Sequence, residues 1–544
     1  MKFNPESVRT VNPSVWPQYP FRDPPRIPES SQVSYSIFPE TDRRLTMRDG
    51  VKLAVDVFRP WAPQEKFPAL ISMSPYTRQL QQTPVPIGQN EAGLTEFWVP
   101  RGYVHVLVDV RGSNDSEGTW DYRGLTEQKD LVEVIEWAAA QPWCNGNVGM
   151  VGCSYYGITQ LMAAIHQPSS LKAIFPYDAY TDMYRENLFR GGIPNSGFPQ
   201  NWFAAVGNLN FLSGRLKDLS GFHRHFGIIL KRQYPFDCDY YRERSIWPFF
   251  DRIQIPCYFG CDWQFFNLHL PGLFTGWEGV GKIPKKMLAG PQPIPRRPFA
   301  AYHFEALRWY DHWLKGMDTR VMEEPPIQLY IQGEGSWRSE REWPLARTEW
   351  RELFLGGPSG LENGRLLPVP GPDFERSYDF EPGGHESRLG RPRLIYRTEP
   401  LASDLEITGP LLLTLVAKSS ATDTDWLITF SDEAPDGRII LLTRGWLRAS
   451  HREVDPERST KWRPWHPHDK EMPLKPGIPE EFSIGLVPTS NLFRQGHRAR
   501  VEIASCDSFP DNLSAYSDTL PIKARNTLIE GKKGSHLLVP VIPR

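Results

Sequence analysis

The sequence contains no continuous apolar run near the roughly 18 residues that a membrane-spanning helix requires. Its first residues, Met-Lys-Phe-Asn-Pro-Glu, also lack the apolar core of a secretory signal. We therefore expect a protein of the cytoplasm that has no membrane partner.

The chain is also poor in the patterns that bind metals, nucleotides or nucleic acids. It has six cysteines, and Cys257 and Cys261 have no second ligand pair within reach, so neither a disulfide framework nor a zinc site is expected. There is no Gly-x-x-x-x-Gly-Lys loop for phosphate. Lys+Arg (62) and Asp+Glu (64) leave a net charge of −2, too balanced for a nucleic-acid partner. We expect no metal and no other cofactor.

Proline and aromatic residues, by contrast, are abundant. There are 52 prolines in 544 residues, about twice the usual share, and 12% of the residues are aromatic. Both features suit long ordered loops and aromatic-lined clefts. Because this length exceeds what one hydrophobic core usually supports, we expect two or three domains.

Short apolar segments alternate with helical patterns in two stretches, residues 36–180 and 251–345. Helices are predicted at 125–141 and 303–315, where apolar residues recur at helical spacing. This alternation predicts a doubly wound parallel sheet, that is, an α/β fold. The predicted strands lie at 69–73, 104–110, 148–151, 173–175, 257–260 and 287–290, and we expect 327–332 to be the last strand of the sheet.

The remaining regions have a different character. Residues 1–35, rich in proline, serine and arginine, are interpreted as an extended N-terminal arm. Residues 181–250 lose the strand rhythm and hold many aromatics, which predicts a helical cap inserted between two strands. From 346 to 544, short alternating segments separated by Gly, Pro and Asp turns predict an all-β sandwich or jelly roll.

A strand–turn–helix pattern at residues 148–160 is the centre of the functional prediction. The apolar run 148–151 ends at Gly152, Ser154 follows at a tight corner, and a helical pattern begins directly after it. In this context a strained elbow exposes a nucleophilic serine. Glycines at 152 and 157 would allow strand and helix to approach closely. An ordinary strand-to-helix turn with a surface serine is the alternative interpretation.

A serine nucleophile needs a base and a carboxylate that orients the base. In doubly wound hydrolases these follow in the order Ser, acid, His. The best-placed acid is Asp262, two residues beyond a glycine that closes a predicted buried strand. Asp178, at the end of the previous strand, is the competitor.

The elbow, Gly-Cys-Ser-Tyr-Tyr-Gly at 152–157, resembles that of the cocaine esterase and Xaa-Pro dipeptidyl-peptidase family of α/β hydrolases. Similar stretches run from about residue 47 to residue 509. The resemblance implies an α/β-hydrolase sheet with a cap, followed by a β jelly roll. The other matching motifs are Ser-Pro-Tyr at 74–76, Asp-Val-Arg-Gly-Ser-Asn-Asp-Ser-Glu-Gly at 109–118, Arg-Trp-Tyr-Asp-His-Trp-Leu-Lys-Gly at 308–316 and Pro-Thr-Ser-Asn-Leu-Phe-Arg-Gln-Gly-His at 488–497.

This resemblance also implies roles for single residues. Ser154 would be the nucleophile and Asp262 the acid of the triad. The hydroxyl of Tyr76 and the backbone N–H of Tyr155 would hold the oxyanion, an interaction worth roughly 3–4 kcal/mol per donor.

Three charged residues of the 109–118 stretch have a different interpretation. We expect Asp109, Arg111 and Asp115 to form an ion-pair cluster that braces the loop under the elbow.

The sequence departs from the family pattern at the catalytic histidine. The family carries it in Gly-Pro-Trp-x-His, whereas residues 290–294 read Gly-Pro-Gln-Pro-Ile, with Ile294 in its place. His303, nine residues further on, preserves the order Ser, Asp, His and is the favoured base. His269 is the alternative. If a helix starts at Asp262, His269 lies about 10 Å along its axis, too far to bond that acid.

Two kinds of function remain. The first is a serine hydrolase that cleaves a small-molecule ester or amide with a bulky, apolar or aromatic acyl group through an acyl-enzyme, using Ser154, Asp262 and His303. Within it, esterase, acyltransferase and Xaa-Pro dipeptidyl-peptidase outcomes stay open, and a homo-oligomer is possible. The second is a ligand-binding protein without catalysis, which Ile294 favours.

Overall fold

The computed structural model describes residues 29–81, 91–195, 197–212, 218–291, 302–358, 363–382, 391–507 and 520–544. Most of the predicted N-terminal arm, and the whole of 292–301 with Ile294, lie outside the described residues. The described end of the arm lies on the helix at 303–315, since Ser31 donates to Asp311 from its backbone N–H (2.7 Å) and its hydroxyl (2.6 Å).

A ten-stranded, mostly parallel sheet forms the first part of the described chain. The spatial order is β1-β2-β4-β3-β5-β6-β9-β10-β11-β12. The seven strands from β4 to β11 in this order are parallel, whereas β2 pairs antiparallel with both β1 and β4, and β12 pairs antiparallel with β11. A two-stranded hairpin, β7 with β8, stands apart from it. The strands are β1 Ile37–Thr46, β2 Lys52–Pro60, β3 Phe67–Ser74, β4 Val104–Asp109, β5 Cys144–Met150, β6 Leu171–Ile174, β7 Phe189–Arg190, β8 Ile193–Pro194, β9 Cys257–Asp262, β10 Lys285–Gly290, β11 Ile327–Ile331 and β12 Ser336–Glu340.

Each predicted strand of this sheet is found. Every residue of β3 and β4 is buried, which explains why they read as continuous apolar runs: parallel strands are covered on both faces. One expectation needs correction, because β11 is not the last strand. The chain turns through Gly333 and Gly335, both at positive φ, and adds β12 beside it.

Helices cover the sheet and fill the interval between β6 and β9. The predicted helix at 303–315 has these bounds in the structure and ends at Gly316 in the left-handed conformation (φ 69°). The helix predicted at 125–141 ends two residues earlier. The α-helices of the described residues are α1 Arg78–Gln81, α2 Thr95–Trp98, α3 Leu125–Ala139, α4 Tyr155–Ala164, α5 Phe198–Leu212, α6 Ser220–Leu230, α7 Asp239–Arg242, α8 Leu270–Gly279 and α9 His303–Lys315. Short 3₁₀ segments lie at Val99–Arg101, Trp247–Arg252, Trp263–Asn267 and Ala449–His451, and a π-helical turn at Met183–Leu188.

The C-terminal part is β-rich. Its eleven described strands form one sheet in the order β15-β22-β17-β20-β19-β18-β21-β16-β14-β13-β23, with β17 also pairing β23. The sheet joins the α/β part through Gln332, whose backbone O accepts from Leu492 N–H (2.8 Å) and whose N–H donates to Ser490 O (3.2 Å). The strands are β13 Glu349–Gly356, β14 Gly364–Leu367, β15 Phe374–Phe380, β16 Arg393–Arg397, β17 Leu405–Ser419, β18 Asp425–Glu433, β19 Ile439–Arg448, β20 Glu480–Phe493, β21 Arg498–Ala504, β22 Ala524–Glu530 and β23 His536–Ile542.

None of the helices in the described ranges has the length and apolar character needed to cross a bilayer.

Candidate active site

Ser154 sits at a strained turn between β5 and α4. Its backbone has φ 59° and ψ −117°, a conformation that non-glycine residues rarely adopt. Its N–H donates to Tyr177 O (3.0 Å) at the end of the neighbouring strand, and α4 begins at the next residue. This is the geometry of a nucleophile elbow, in which the serine is lifted above the sheet.

The two glycines of the elbow are required by close backbone contacts. Gly152 has φ 127°, and a Cβ there would lie 2.5 Å from Cβ of Tyr156. A Cβ on Gly157 would lie 2.3 Å from Tyr177 O, the atom that accepts the Ser154 N–H. The predicted reason for both glycines, close approach of strand and helix, is confirmed.

The structure brings His269 to Ser154. Nε2 of His269 lies 3.3 Å from Ser154 Oγ, and both side chains are almost completely buried, at 3% and 5% exposed. A neutral imidazole whose Nε2 carries no proton can accept the serine hydrogen at this distance. His269 was the alternative base in the sequence interpretation.

His269 reaches the serine because the chain after Asp262 does not continue as one helix. A short 3₁₀ segment, Trp263–Asn267, is kinked at Phe265, and Leu268 leaves helical geometry (φ −135°, ψ −65°). The estimate of about 10 Å assumed a straight helix. The guanidinium of Arg190 holds the turn by donating to Leu268 O (3.3 Å) and Phe266 O (3.4 Å).

His303, the favoured base in the sequence interpretation, lies in a different environment. Its ring stacks on Phe97 (centroids 4.8 Å, planes 18°) and meets Trp98 edge-on (5.7 Å). Its Nε2 accepts from Leu94 N–H at 3.5 Å. Because His303 begins α9 and packs that helix against α2, the geometry favours His269 over it as the base.

Two buried carboxylates end neighbouring strands near the elbow. Asp262 is the last residue of β9, and its Oδ1 accepts from the Tyr177 hydroxyl at 3.4 Å. Asp178 follows β6 with φ 52°, and its N–H donates to Gly260 O (2.9 Å). Burial raises the pKa of the Cys261 thiol well above its usual value, and the charges of both carboxylates add to this rise. Both acids therefore lie beside Cys261.

The two predicted oxyanion donors also lie at the elbow. The Tyr76 ring meets those of Tyr155 and Tyr156 edge-on, at 6.1 and 5.9 Å between centroids. Tyr155 is the first residue of α4, where an N–H has no acceptor within its own helix. Within the described ranges, no other hydrogen bond uses this N–H. Such an N–H is suited to an oxyanion.

Glu127, a buried carboxyl group that the sequence interpretation missed, holds the side chain of Tyr155. The Tyr155 hydroxyl donates to Glu127 Oε1 (2.6 Å), and Arg123 N–H donates to Glu127 Oε2 (3.0 Å). The Arg123 guanidinium lies 4.1 Å from the centre of the Tyr155 ring. Burial raises the pKa of Glu127 to about 7, against the opposing effect of these hydrogen bonds. Nothing in the sequence around 123–127 distinguishes these two residues from an ordinary helix start.

The expected cluster of Asp109, Arg111 and Asp115 needs correction. Asp109 and Asp115 both bind Arg78, through Nε (2.9 Å) and Nη2 (2.9 Å), whereas Arg111 binds Asp130 (2.8 Å) on α3. The reason is that β4 ends at Asp109, so the strand alternation that would place 109 and 111 on one face does not continue. Asp109 and Asp115 therefore brace Arg78, two residues after Tyr76.

A cavity of about 570 Å³ lies between the C-terminal sheet and the α8 side of the α/β part. Its lining includes Trp247, Phe274, Trp446 and Trp465, with Pro271 as the lining residue nearest His269 in sequence. It borders the segment that carries His269 rather than the serine. In the ranges that the structure describes, no group of three or more His, Cys, Asp or Glu could hold a metal ion.

Comparison with known families covers most of the chain. Residues 49–227 match the X-Pro dipeptidyl-peptidase (S15 family) model, and residues 319–539 match the X-Pro dipeptidyl-peptidase C-terminal non-catalytic domain. Ser154 and Tyr76 fall within the first match. Asp262 and His269 fall between the two.

Individual proteins are also similar to this chain over most of its length. Cocaine esterase of Rhodococcus sp. (strain MB1 Bresler) is 28% identical over 92% of this chain and 97% of that protein. A CocE/NonD family hydrolase from Staphylococcus aureus has a TM-score of 0.80 at 27% identity, covering 93% of this chain and 94% of that one. An α-amino acid ester hydrolase shares the fold, with a TM-score of 0.73 at 20% identity over 94% and 97% of the two chains. With both domain models matched in order and relatives that align over most of its length, the chain is similar in sequence and in fold to the cocaine esterase and Xaa-Pro dipeptidyl-peptidase family of α/β hydrolases.

Proposed function

We propose that the protein is a serine hydrolase that cleaves an ester, or an amide, through an acyl-enzyme on Ser154. The observation that carries the proposal is the pairing of Ser154, at a strained strand-to-helix turn, with His269 Nε2 at 3.3 Å. A nucleophile within hydrogen-bond reach of its base is the arrangement that covalent catalysis requires.

The proposed reaction follows from this pairing. His269 removes the proton from Ser154 Oγ as the oxygen bonds to the carbonyl carbon, and the imidazolium then protonates the leaving oxygen or nitrogen. The Tyr76 hydroxyl and the Tyr155 N–H donate to the oxyanion of the tetrahedral intermediate. Water, activated by the same histidine, hydrolyses the acyl-enzyme. An added alcohol or amine in place of water would make the same chemistry an acyl transfer.

Asp262 is the proposed acid of the triad, and Asp178 is its competitor. In a catalytic triad, replacing the carboxylate that orients the imidazole by an amide of the same shape lowers kcat by up to about 10⁴. We expect Asp262→Asn to lower kcat by 10³–10⁴, and Asp178→Asn by less than tenfold. The reverse order would assign the acid to Asp178.

Aromatic side chains around the proposed oxyanion donors favour a bulky apolar or aromatic acyl group. Tyr76, Tyr155 and Trp202 contact one another, and Trp202 belongs to α5 of the inserted helices. A peptide α-amine would need a carboxylate with spare acceptor capacity. The buried acids among the described residues of this insertion already have partners: Asp182 and Asp237 both bind Arg185, and Glu186 binds Thr181 and Thr275.

A fluorophosphonate probe followed by mass spectrometry tests the proposal. The wild-type protein should be labelled on Ser154 and should hydrolyse p-nitrophenyl benzoate faster than Ala-Pro-p-nitroanilide. Labelling should disappear in Ser154→Ala and fall at least a hundredfold in His269→Ala.

His303→Ala is the matched control, because it removes the other candidate histidine. It should label at a rate close to that of the wild type. Absence of labelling in the folded wild-type protein would instead support a ligand-binding protein without catalysis. Preference for the proline anilide would favour the dipeptidyl-peptidase activity.

For the C-terminal part we propose the jelly-roll arrangement expected from the sequence. The antiparallel pairing of β17 with β20, β22 and β23, far apart in the chain, supports it. An experimental structure of this part would test the strand connections.

A further inference from the structure

The Tyr76 hydroxyl has a hydrogen-bond donor in the inserted helices. Nε1 of Trp202, on α5, donates to the Tyr76 oxygen at 2.8 Å, across 126 residues of sequence. An indole nitrogen can only donate. The Tyr76 oxygen is therefore the acceptor in this bond, and its own hydrogen must be directed to another acceptor.

Tyr76 is held where that hydrogen can serve the elbow. Its backbone N–H donates to Ser74 Oγ (3.0 Å), at the end of β3. Its ring contacts Tyr155 and Tyr156, the two residues that follow Ser154. Tyr76 therefore packs against the first turn of α4, where an oxyanion on a Ser154 adduct would form.

Three neighbouring side chains hold the ring of Trp202. Its ring lies parallel to that of Tyr155 (centroids 6.0 Å, planes 11°) and meets Phe203 edge-on (5.1 Å, 88°). The guanidinium of Arg123 lies 5.7 Å from its centre. With the indole fixed on these neighbours, the direction of its N–H is fixed as well.

We propose that Trp202 is a positioning residue for the oxyanion hole. By donating to the phenol oxygen, it restricts the rotation of the Tyr76 O–H and polarises that bond, which makes the phenol a stronger donor. A donor oriented before the reaction costs no reorganisation in the transition state. The oxyanion hole is thus complete only when α5 is packed on the elbow. This inference rests on the proposed hydrolase function.

Trp202→Phe removes the N–H and keeps an aromatic ring against Tyr155. We expect kcat for p-nitrophenyl benzoate to fall about tenfold while KM changes less than twofold, because the lost interaction acts in the transition state. The affinity of phenylboronic acid, which forms a tetrahedral adduct with the serine, should fall by a similar factor.

A double-mutant cycle with Tyr76→Phe separates positioning from general packing. If Trp202 acts through the tyrosine hydroxyl, the double variant is no slower than Tyr76→Phe alone. Phe226→Leu on α6, whose ring stacks on Phe203 and Phe222, changes the packing of the same inserted helices and is the control; its effect should multiply with that of Tyr76→Phe. Site-specific replacement of Trp202 by 3-benzothienylalanine, which keeps the bicyclic ring but has no N–H, should reproduce the loss in kcat if Trp202→Phe folds poorly.

Two results would overturn the inference. One is a kcat of the folded Trp202 variants within twofold of the wild type, and the other is independent effects of Trp202 and Tyr76 in the cycle. A wild-type protein that neither hydrolyses the ester nor reacts with the fluorophosphonate would refute the hydrolase proposal itself.

Discussion

Two helical glycines provide a direct test of the elbow geometry. Gly157 lies in α4, after the serine, and Gly227 lies in α6 of the inserted helices. At either position, replacing glycine by alanine should stabilise the helix itself by about 1 kcal/mol. The two sites differ in what the added methyl group meets: Tyr177 O at 2.3 Å for residue 157, and nothing within 4 Å for residue 227.

The contact at 157 decides the sign of the effect. Real Cβ atoms stay beyond 3.0 Å, so strand and helix must separate by at least 0.7 Å. Overpacking of this kind costs about 1–3 kcal/mol, and a backbone oxygen cannot rotate away, so we expect a net loss near 2 kcal/mol. Tyr177 O also accepts the Ser154 N–H, so the serine moves with it and kcat should fall about 10²-fold.

Chemical denaturation and steady-state ester hydrolysis measure both effects. Gly227→Ala should raise the free energy of unfolding by up to about 1 kcal/mol and leave kcat within twofold. The reasoning is refuted if Gly157→Ala is as stable and as active as the wild type, or if both substitutions are equally damaging.

Two further predictions concern buried charge. Arg78→Lys should lower the free energy of unfolding, measured in urea, by about 3 kcal/mol, because an ammonium cannot bridge Asp56, Asp109 and Asp115 as the guanidinium does. The control is Arg351→Lys, at an exposed ion pair with Glu349, which should change the free energy of unfolding by less than about 0.5 kcal/mol. Equal effects of the two substitutions would contradict the prediction. Burial lowers the pKa of His451 from 6.5 to about 4, so the native protein binds fewer protons than the unfolded chain between these pH values. The contribution of His451 to the free energy of unfolding is therefore complete above pH 6.5 and should decline by about 3 kcal/mol towards pH 4. His451→Gln should make the free energy of unfolding less dependent on pH in this range, and the same pH dependence in both proteins would contradict the prediction.

The elements of the sheet could be predicted because their signals are local. Continuous apolar runs gave β3 and β4, and the helical period gave α9 with its bounds unchanged. The buried face of α9 is narrower than its period indicates, because Phe304 has the helical spacing of a core residue but is 38% exposed, beside Phe97. The spacing of apolar residues predicts the face of a helix, but it does not show whether the first turn of that helix is covered by neighbouring elements.

The histidine next to Ser154 could not be chosen from the sequence for a different reason. Chain order favoured His303, and a straight helix from Asp262 argued against His269. In the structure, Phe265 and Leu268 depart from helical backbone angles, and this bend brings His269 to the serine. Neither phenylalanine nor leucine predicts a kink from the sequence. The contact of Trp202 with Tyr76 is equally invisible, because it depends on how α5 packs across the sheet.

The position of His269 is linked to the C-terminal domain by a short series of contacts. Arg448 N–H, at the end of β19, donates to Gly191 O (2.7 Å). Gly191 directly follows Arg190, whose guanidinium donates to Leu268 O (3.3 Å), the residue before His269. A second connection is indirect: Trp263 Nε1 donates to Tyr330 O (2.8 Å) on β11, the strand that leads into Gln332 and its hydrogen bonds with the C-terminal sheet. A domain whose family description is non-catalytic therefore lies one hydrogen bond from the hairpin that holds the proposed base. Because a base acts only from within hydrogen-bond reach of its nucleophile, packing of this domain would influence kcat without any of its residues touching the substrate.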